Sequence, residues 1–136
     1  MIVVDTGVLF AATDANDHYH EAVVSFFDSN TEPLFSTPGV ITEVSFLVEK
    51  FLGPEREANF LDSIARGDIA VEYLITSDYE RMAELVRTYA DLHLGSTDAS
   101  VVAIAERLRA TTVATLDHRH FNVVRPAHID AFTIVP

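Results

Sequence analysis

Ile2-Val3-Val4-Asp5-Thr6-Gly7-Val8-Leu9-Phe10 decides how the rest of the chain is read. Three β-branched residues in a row form a short strand, and Asp-Thr-Gly ends it at the entry to a helix. The same grammar recurs downstream. Leu34-Phe35-Ser36 is a short strand before Pro38, which suits the first turn of a helix running to about Leu52. Gly53-Pro54 stops that helix and opens another, which carries Ala58, Leu61, Ile64 and Ala65 inward and ends at Gly67. Ile69–Tyr73 and Thr112–Leu116 read as strands, and Phe132–Val135 as a last one. Between them lie helices at His18–Asp28, at Ser77–Leu92 and from a cap at Ser96 or Thr97 to about Arg109. In the last of these, Val101, Ile104, Ala105 and Leu108 face inward. Strand–helix alternation of this kind predicts an α/β fold: a central parallel sheet flanked by helices on both faces.

Composition bounds the chemistry. At 136 residues, 49% of them hydrophobic, the chain is expected to form one domain over 1–136 with a sizeable core. It has no cysteine, which excludes disulfides, thiolate metal sites and a thiol nucleophile. The apolar N-terminal run lacks a basic leader and is interrupted by Asp5, so it does not read as a signal peptide. No stretch approaches a membrane span, and a cytoplasmic location is expected. The net charge is -12, with Lys50 the only lysine, and such a chain repels bulk nucleic acid. Either this is an ordinary acidic surface, or some acids gather to hold divalent metal and a basic partner covers others.

Topology favours gathering. Ligands of open α/β sheets bind beyond the carboxyl ends of the strands. Asp5 follows the first strand, Asp117 follows the Thr112–Leu116 strand, and Asp98 opens its helix. Glu43 borders an apolar stripe of Val40, Val44, Leu47 and Phe51. Singly, each aspartate suits a helix cap and the glutamate a solvated face. Together at one edge, four like charges need protons or a cation. Oxygen donors without cysteine suit Mg²⁺ or Mn²⁺, and such a centre hydrolyses phosphodiesters without a serine or cysteine nucleophile. Thr6 and Thr115 can hold bound waters or serve as ordinary cap and strand residues. His118, Arg119 and His120 read as contacts to RNA phosphate or as an exposed loop. His18-Tyr19-His20 and His118-Arg119-His120 each space two imidazoles, but neither shows the third ligand zinc would want. The phenylalanines at helical spacing are assigned to the core.

With those residues in place, the chain resembles the PIN-domain family, and within it the VapC-type toxins of bacterial toxin–antitoxin pairs. Val4-Asp5-Thr6-Gly7-Val8-Leu9 resembles the opening strand and acid, and Thr42-Glu43-Val44 the helix-borne acid. Gly95-Ser96-Thr97-Asp98-Ala99 is similar to the third motif, and Thr115-Leu116-Asp117-His118-Arg119-His120-Phe121 to the fourth. The resemblance implies an Mg²⁺- or Mn²⁺-dependent endoribonuclease using Asp5, Glu43, Asp98 and Asp117. It further implies cleavage of tRNA or rRNA, a homodimer, and inhibition by a VapB-type antitoxin. Two departures stand out: Gly7 replaces a common serine, and His118, Arg119 and His120 occupy positions near which some members carry a further acid. A haloacid-dehalogenase-type reaction at Asp5 is disfavoured, because Gly7 stands where its second acid would be. No Gly-x-Gly-x-x-Gly marks a dinucleotide site. The remaining alternative is a catalytically silent PIN-like interaction module.

Overall fold

The computed structural model describes residues 1–136. The strands are β1 (Ile2–Val4), β2 (Leu34–Ser36), β3 (Ala70–Val71), β4 (Thr112–Ala114) and β5 (Thr133–Val135). The α-helices are α1 (Thr6–Thr13), α2 (His20–Ser29), α3 (Pro38–Leu52), α4 (Pro54–Arg66), α5 (Thr76–Thr88), α6 (Ser96–Leu108) and α7 (His118–Phe121). Every pairing is parallel, in the order β3-β2-β1-β4-β5. The expected α/β architecture is therefore present.

β1 lies at the centre, with Ile2, Val3 and Val4 all buried, as a strand covered on both faces requires. The chain passes from β1 to β2 on one side and later returns to add β4 on the other. That makes the β1/β4 boundary a topological switch point, where the strand ends leave a crevice. Register fixes its floor: Val4 is opposite Ala114, and the Asp5 amide donates to the Ala114 carbonyl at 2.9 Å.

α6 departs from the expected one-sided helix. Every residue from Ala99 to Ala105 is buried, while Leu108, expected inward, is only partly so. The helix packs against α5, α3 and β1 together, and its three alanines let those neighbours approach closely. The α3 stripe is also rotated from expectation. Val40, Val44 and Val48 are fully buried, whereas Phe46 and Phe51 are 61% and 62% exposed. Both patterns have helical spacing; packing on α1, α4 and α6 selects the valines. Phe46 and Phe51 are therefore not core, and the Lys50 ammonium lies 5.9 Å and 5.2 Å from their ring centroids.

Other boundaries shift slightly. The Ile69–Tyr73 strand shortens to β3, and the Thr112–Leu116 strand ends at Ala114. The Ser77–Leu92 helix divides into α5 and a 3-10 turn at Ala90–Leu92, closed by His93 at φ 56°. Gly95, rather than Ser96 or Thr97, takes the cap position of α6. Gly67 ends α4 at φ 86°, a left-handed conformation that glycine adopts without a Cβ clash.

Asp78, 3% exposed, organises the far side of α5. One carboxylate oxygen accepts from the Ile75 amide at 2.9 Å, and both oxygens lie 3.1 Å from Arg107 Nε. Arg107 also donates to Glu72 at 3.0 Å and to the Tyr73 carbonyl at 2.8 Å. Asp78→Ala removes a cap and leaves Arg107 with only Glu72 and the Tyr73 carbonyl as partners. Denaturant unfolding is expected to show a loss of about 2–3 kcal/mol. A loss under ~0.5 kcal/mol would reduce this cluster to ordinary surface pairing.

Candidate metal centre

The crevice between β1 and β4 is built by strand-to-helix turns. Asp5 leaves β1 in extended backbone and caps α1. One carboxylate oxygen accepts from the Thr6 amide at 2.7 Å and the other from Thr115 Oγ1 at 2.8 Å. Thr115 Oγ1 in turn accepts from the Asp117 amide at 2.9 Å. A single hydroxyl thus ties the acid after β1 to the acid after β4. On the other flank, Thr6 Oγ1 donates to Glu43 Oε2 at 2.9 Å and brings α3 into register with α1. The two threonine hydroxyls spend their protons on carboxylates. In this geometry both hydroxyls orient acids.

Asp98 lies in the first turn of α6 and accepts from the Gly95 amide. Asp117 caps α7, accepting from the His120 amide at 3.1 Å. The four acids are close enough to feel one another. Burial pushes the Asp5 carboxyl from 3.8 up to about 6 against the pull of the Thr115 and Thr6 hydrogen bonds, with Asp98 and Glu43 adding repulsion. Burial also raises Asp98, helped by Asp117 and Glu43 and opposed by His120. Carboxyls held above their ordinary range beside other carboxylates form a site that favours a proton or a cation.

His120 is placed differently from expectation. The sequence suggests His118, Arg119 and His120 as phosphate contacts. His118 and Arg119 are exposed at the crevice rim, but His120 turns inward. Its Nδ1 lies 3.1 Å from Asp98 Oδ2 and 2.7 Å from Asp117 Oδ2, and its Nε2 lies 3.0 Å from the Leu92 carbonyl. His120 thus has the two further donors that a His-x-His motif lacks by itself, and Asp98, Asp117 and His120 form a group able to hold one ion. The legible signal is the i,i+3 spacing of Asp117 and His120 beside a cap; Asp98 arrives from another element. His18 and His20 form no such group: His20 Nδ1 lies 2.7 Å from the Ala11 carbonyl, and His18 packs edge-on against Tyr19.

A divalent cation fits the donors present. They supply several hard oxygens, two carboxyls raised by burial, and one buried imidazole nitrogen with no aligned hydrogen-bond partner.

Comparison with known proteins follows the same line. The PIN domain model matches residues 2–126. Ribonuclease VapC26 of Mycobacterium tuberculosis is 34% identical over 135 residues, covering 99% of this chain and all of that one. Among solved structures, Mycobacterium tuberculosis VapC20, described as a sarcin-ricin loop cleaving toxin, superposes with a TM-score of 0.78 at 18% identity. It covers 83% of this chain and 87% of its own. VapBC2 from Rickettsia felis, bound to a DNA fragment from its promoter, gives 0.70 at 17% identity over the full length of both chains. FitAcB from Neisseria gonorrhoeae gives 0.67 at 19% identity, covering 100% of this chain and 97% of its own.

Proposed function

This chain belongs to the PIN-domain family, and from that premise we propose that it is the toxin of a type II toxin–antitoxin pair, acting as a metal-dependent endoribonuclease. The observation that carries the reading is the convergence of Asp5, Glu43, Asp98 and Asp117 at the β1/β4 crevice, in a chain 34% identical to a ribonuclease along its whole length.

In this reading the four acids hold Mg²⁺ or Mn²⁺, and each is prepared for it by its neighbours. Thr6 and Thr115 fix the rotamer of Asp5, and Thr6 also fixes Glu43. The caps on α1 and α7 set where Asp5 and Asp117 stand. A bound divalent cation supplies Lewis acidity, making water a competent nucleophile near neutral pH and neutralising phosphate charge. Exposed beside the acids, Arg119 offers a cationic contact and His118 a hydrogen-bonding one to the RNA backbone, where the chain otherwise repels it.

The substrate is a structured RNA of the tRNA or rRNA class, met in the cytoplasm; the cleavage of the sarcin-ricin loop by VapC20 supports that class. No helix is long and apolar enough to cross a membrane. A VapB-type antitoxin, supported by the VapBC2 structural neighbour, and a homodimeric state complete the reading. The exposed Phe46 and Phe51 beside Lys50 on α3 offer apolar surface to a partner, and the net charge of -12 favours a basic one.

The test is cleavage of tRNA and rRNA by the purified chain. We expect cleavage with Mg²⁺ or Mn²⁺, none after EDTA, and recovery when metal is returned. Undiminished cleavage in EDTA would sink the metal-dependent reading. Antitoxin binding with no cleavage under any metal would favour the silent interaction module.

A further inference from the structure

The imidazole of His120 is the feature that the four-acid site leaves unexplained. Nε2 faces the Leu92 carbonyl at 3.0 Å, and a carbonyl can only accept, so Nε2 carries the proton. That leaves Nδ1 as the ring nitrogen facing the acids. It is buried and has no aligned hydrogen-bond partner, yet it lies 3.1 Å and 2.7 Å from oxygens of Asp98 and Asp117. Nδ1 and one oxygen from each acid, brought by α6 and α7, thus meet in a single small space. Donor atoms bound to one cation at about 2.1 Å and at right angles stand about 3.0 Å apart. The two separations from Nδ1 are of that size, and all three donor atoms lie within 4.8 Å of one another.

We propose that His120 is a direct nitrogen ligand of the metal centre, through Nδ1 and together with Asp98 and Asp117, and that it biases the site toward Mn²⁺ over Mg²⁺. The proposal rests on the metal-dependent reading and specifies its donor set. The Leu92 carbonyl serves as the outer partner that fixes the tautomer, the arrangement in which metal-binding imidazoles are usually held. It comes from the 3-10 turn that precedes α6, so the turn sets the aim of a ring on α7. Mg²⁺ prefers oxygen and water, whereas Mn²⁺ accepts imidazole readily. One nitrogen among carboxylates therefore discriminates between two ions of equal charge.

The experiment is electron spin-echo modulation of Mn²⁺ bound to the full chain, alongside calorimetric titration with Mn²⁺ and Mg²⁺. Wild type is expected to show modulation from a coordinated nitrogen, altered when the histidines carry ¹⁵N. His120→Asp should abolish the modulation, and the Mn²⁺-to-Mg²⁺ affinity ratio should fall about tenfold or more. The labelling arm needs no variant, so it decides the matter even if His120→Asp folds poorly. Bound Mn²⁺ without nitrogen modulation, modulation that persists in His120→Asp, or an unchanged ratio overturns the proposal. Mg²⁺ binding without Mn²⁺ binding overturns the proposal alone, and binding of neither ion overturns it together with the metal-dependent reading. Nitrogen modulation in a chain that cuts no RNA upholds the ligand and sinks the ribonuclease.

Discussion

Asp5→Asn is expected to lower RNA cleavage about 10²–10³-fold while making the metal-free chain more stable at pH 7. The two effects have one cause. In the fold the Asp5 carboxyl rises from 3.8 to about 6, mainly through burial. A raised carboxyl means that the folded state takes up its proton more readily than the unfolded chain. Its stabilising contribution is complete below pH ~4 and is lost as pH climbs through about 6. At pH 7 the buried charge therefore burdens the metal-free protein, on the order of 1–3 kcal/mol. Asparagine removes that charge and with it a ligand. Thermal unfolding of both metal-free chains across pH 4–7 checks the sign. The wild type should lose ground to the variant as pH rises, and the curves should converge in acid. A variant less stable at pH 7 would show that the Asp5 charge is well compensated without metal.

Thr115→Val comes second in size and tests the hinge between the two acids. Valine keeps the shape but removes the hydroxyl that donates to Asp5 and accepts from the Asp117 amide. A fully buried carboxylate loses a donor, and a partly buried amide loses its acceptor. Metal affinity is expected to fall 10–100-fold, the range for partners that orient ligands. Stability should drop by about 1–3 kcal/mol. Thr115→Ser restores the hydroxyl and should recover most of the affinity. If valine and serine behave alike in metal titrations, the hydroxyl does not hold the carboxylate.

Much of this arrangement was legible before any coordinates. Asp5 and Asp117 stand at strand-to-helix junctions that β-branched runs announce, and junctions of parallel strands share an edge. Glu43 was placed beside the right helix face, although the face itself was misread. The stripe Val40, Val44, Leu47, Phe51 and the observed Val40, Val44, Val48 are both helical spacings. Only the position of α1, α4 and α6 around α3 decides between them. Hydrophobicity drew Phe46 and Phe51 inward on paper, but the fold leaves them outside. The spacing of Val101, Ile104, Ala105 and Leu108 makes α6 look one-sided, yet its small alanines let neighbours surround it. The sequence shows only half of the His120 setting, its i,i+3 spacing from Asp117. Its partners Asp98 and Leu92 belong to segments whose approach to α7 no local pattern encodes. For Thr6 and Thr115 the sequence allows water holding or a plain structural use; that both hydroxyls clasp carboxylates depends on rotamers, which no spacing encodes.

The pairing of β1 with β4 has a temporal consequence. Asp5 and Thr115 are 110 residues apart in sequence and 2.8 Å apart in space. A chain made from its amino end places Asp5 first and must then wait for almost everything else. β1 can pair with β2 early, but its other edge stays open until Thr112–Ala114 emerges and docks. Parallel pairing across such a span is slow to form, because a long loop must close before any contact rewards it. The centre therefore has no partial version. A chain stopped before β4 carries three of the four acids and lacks the Thr115 clasp, so any cutting activity begins only after the segment through Asp117 has been made and docked.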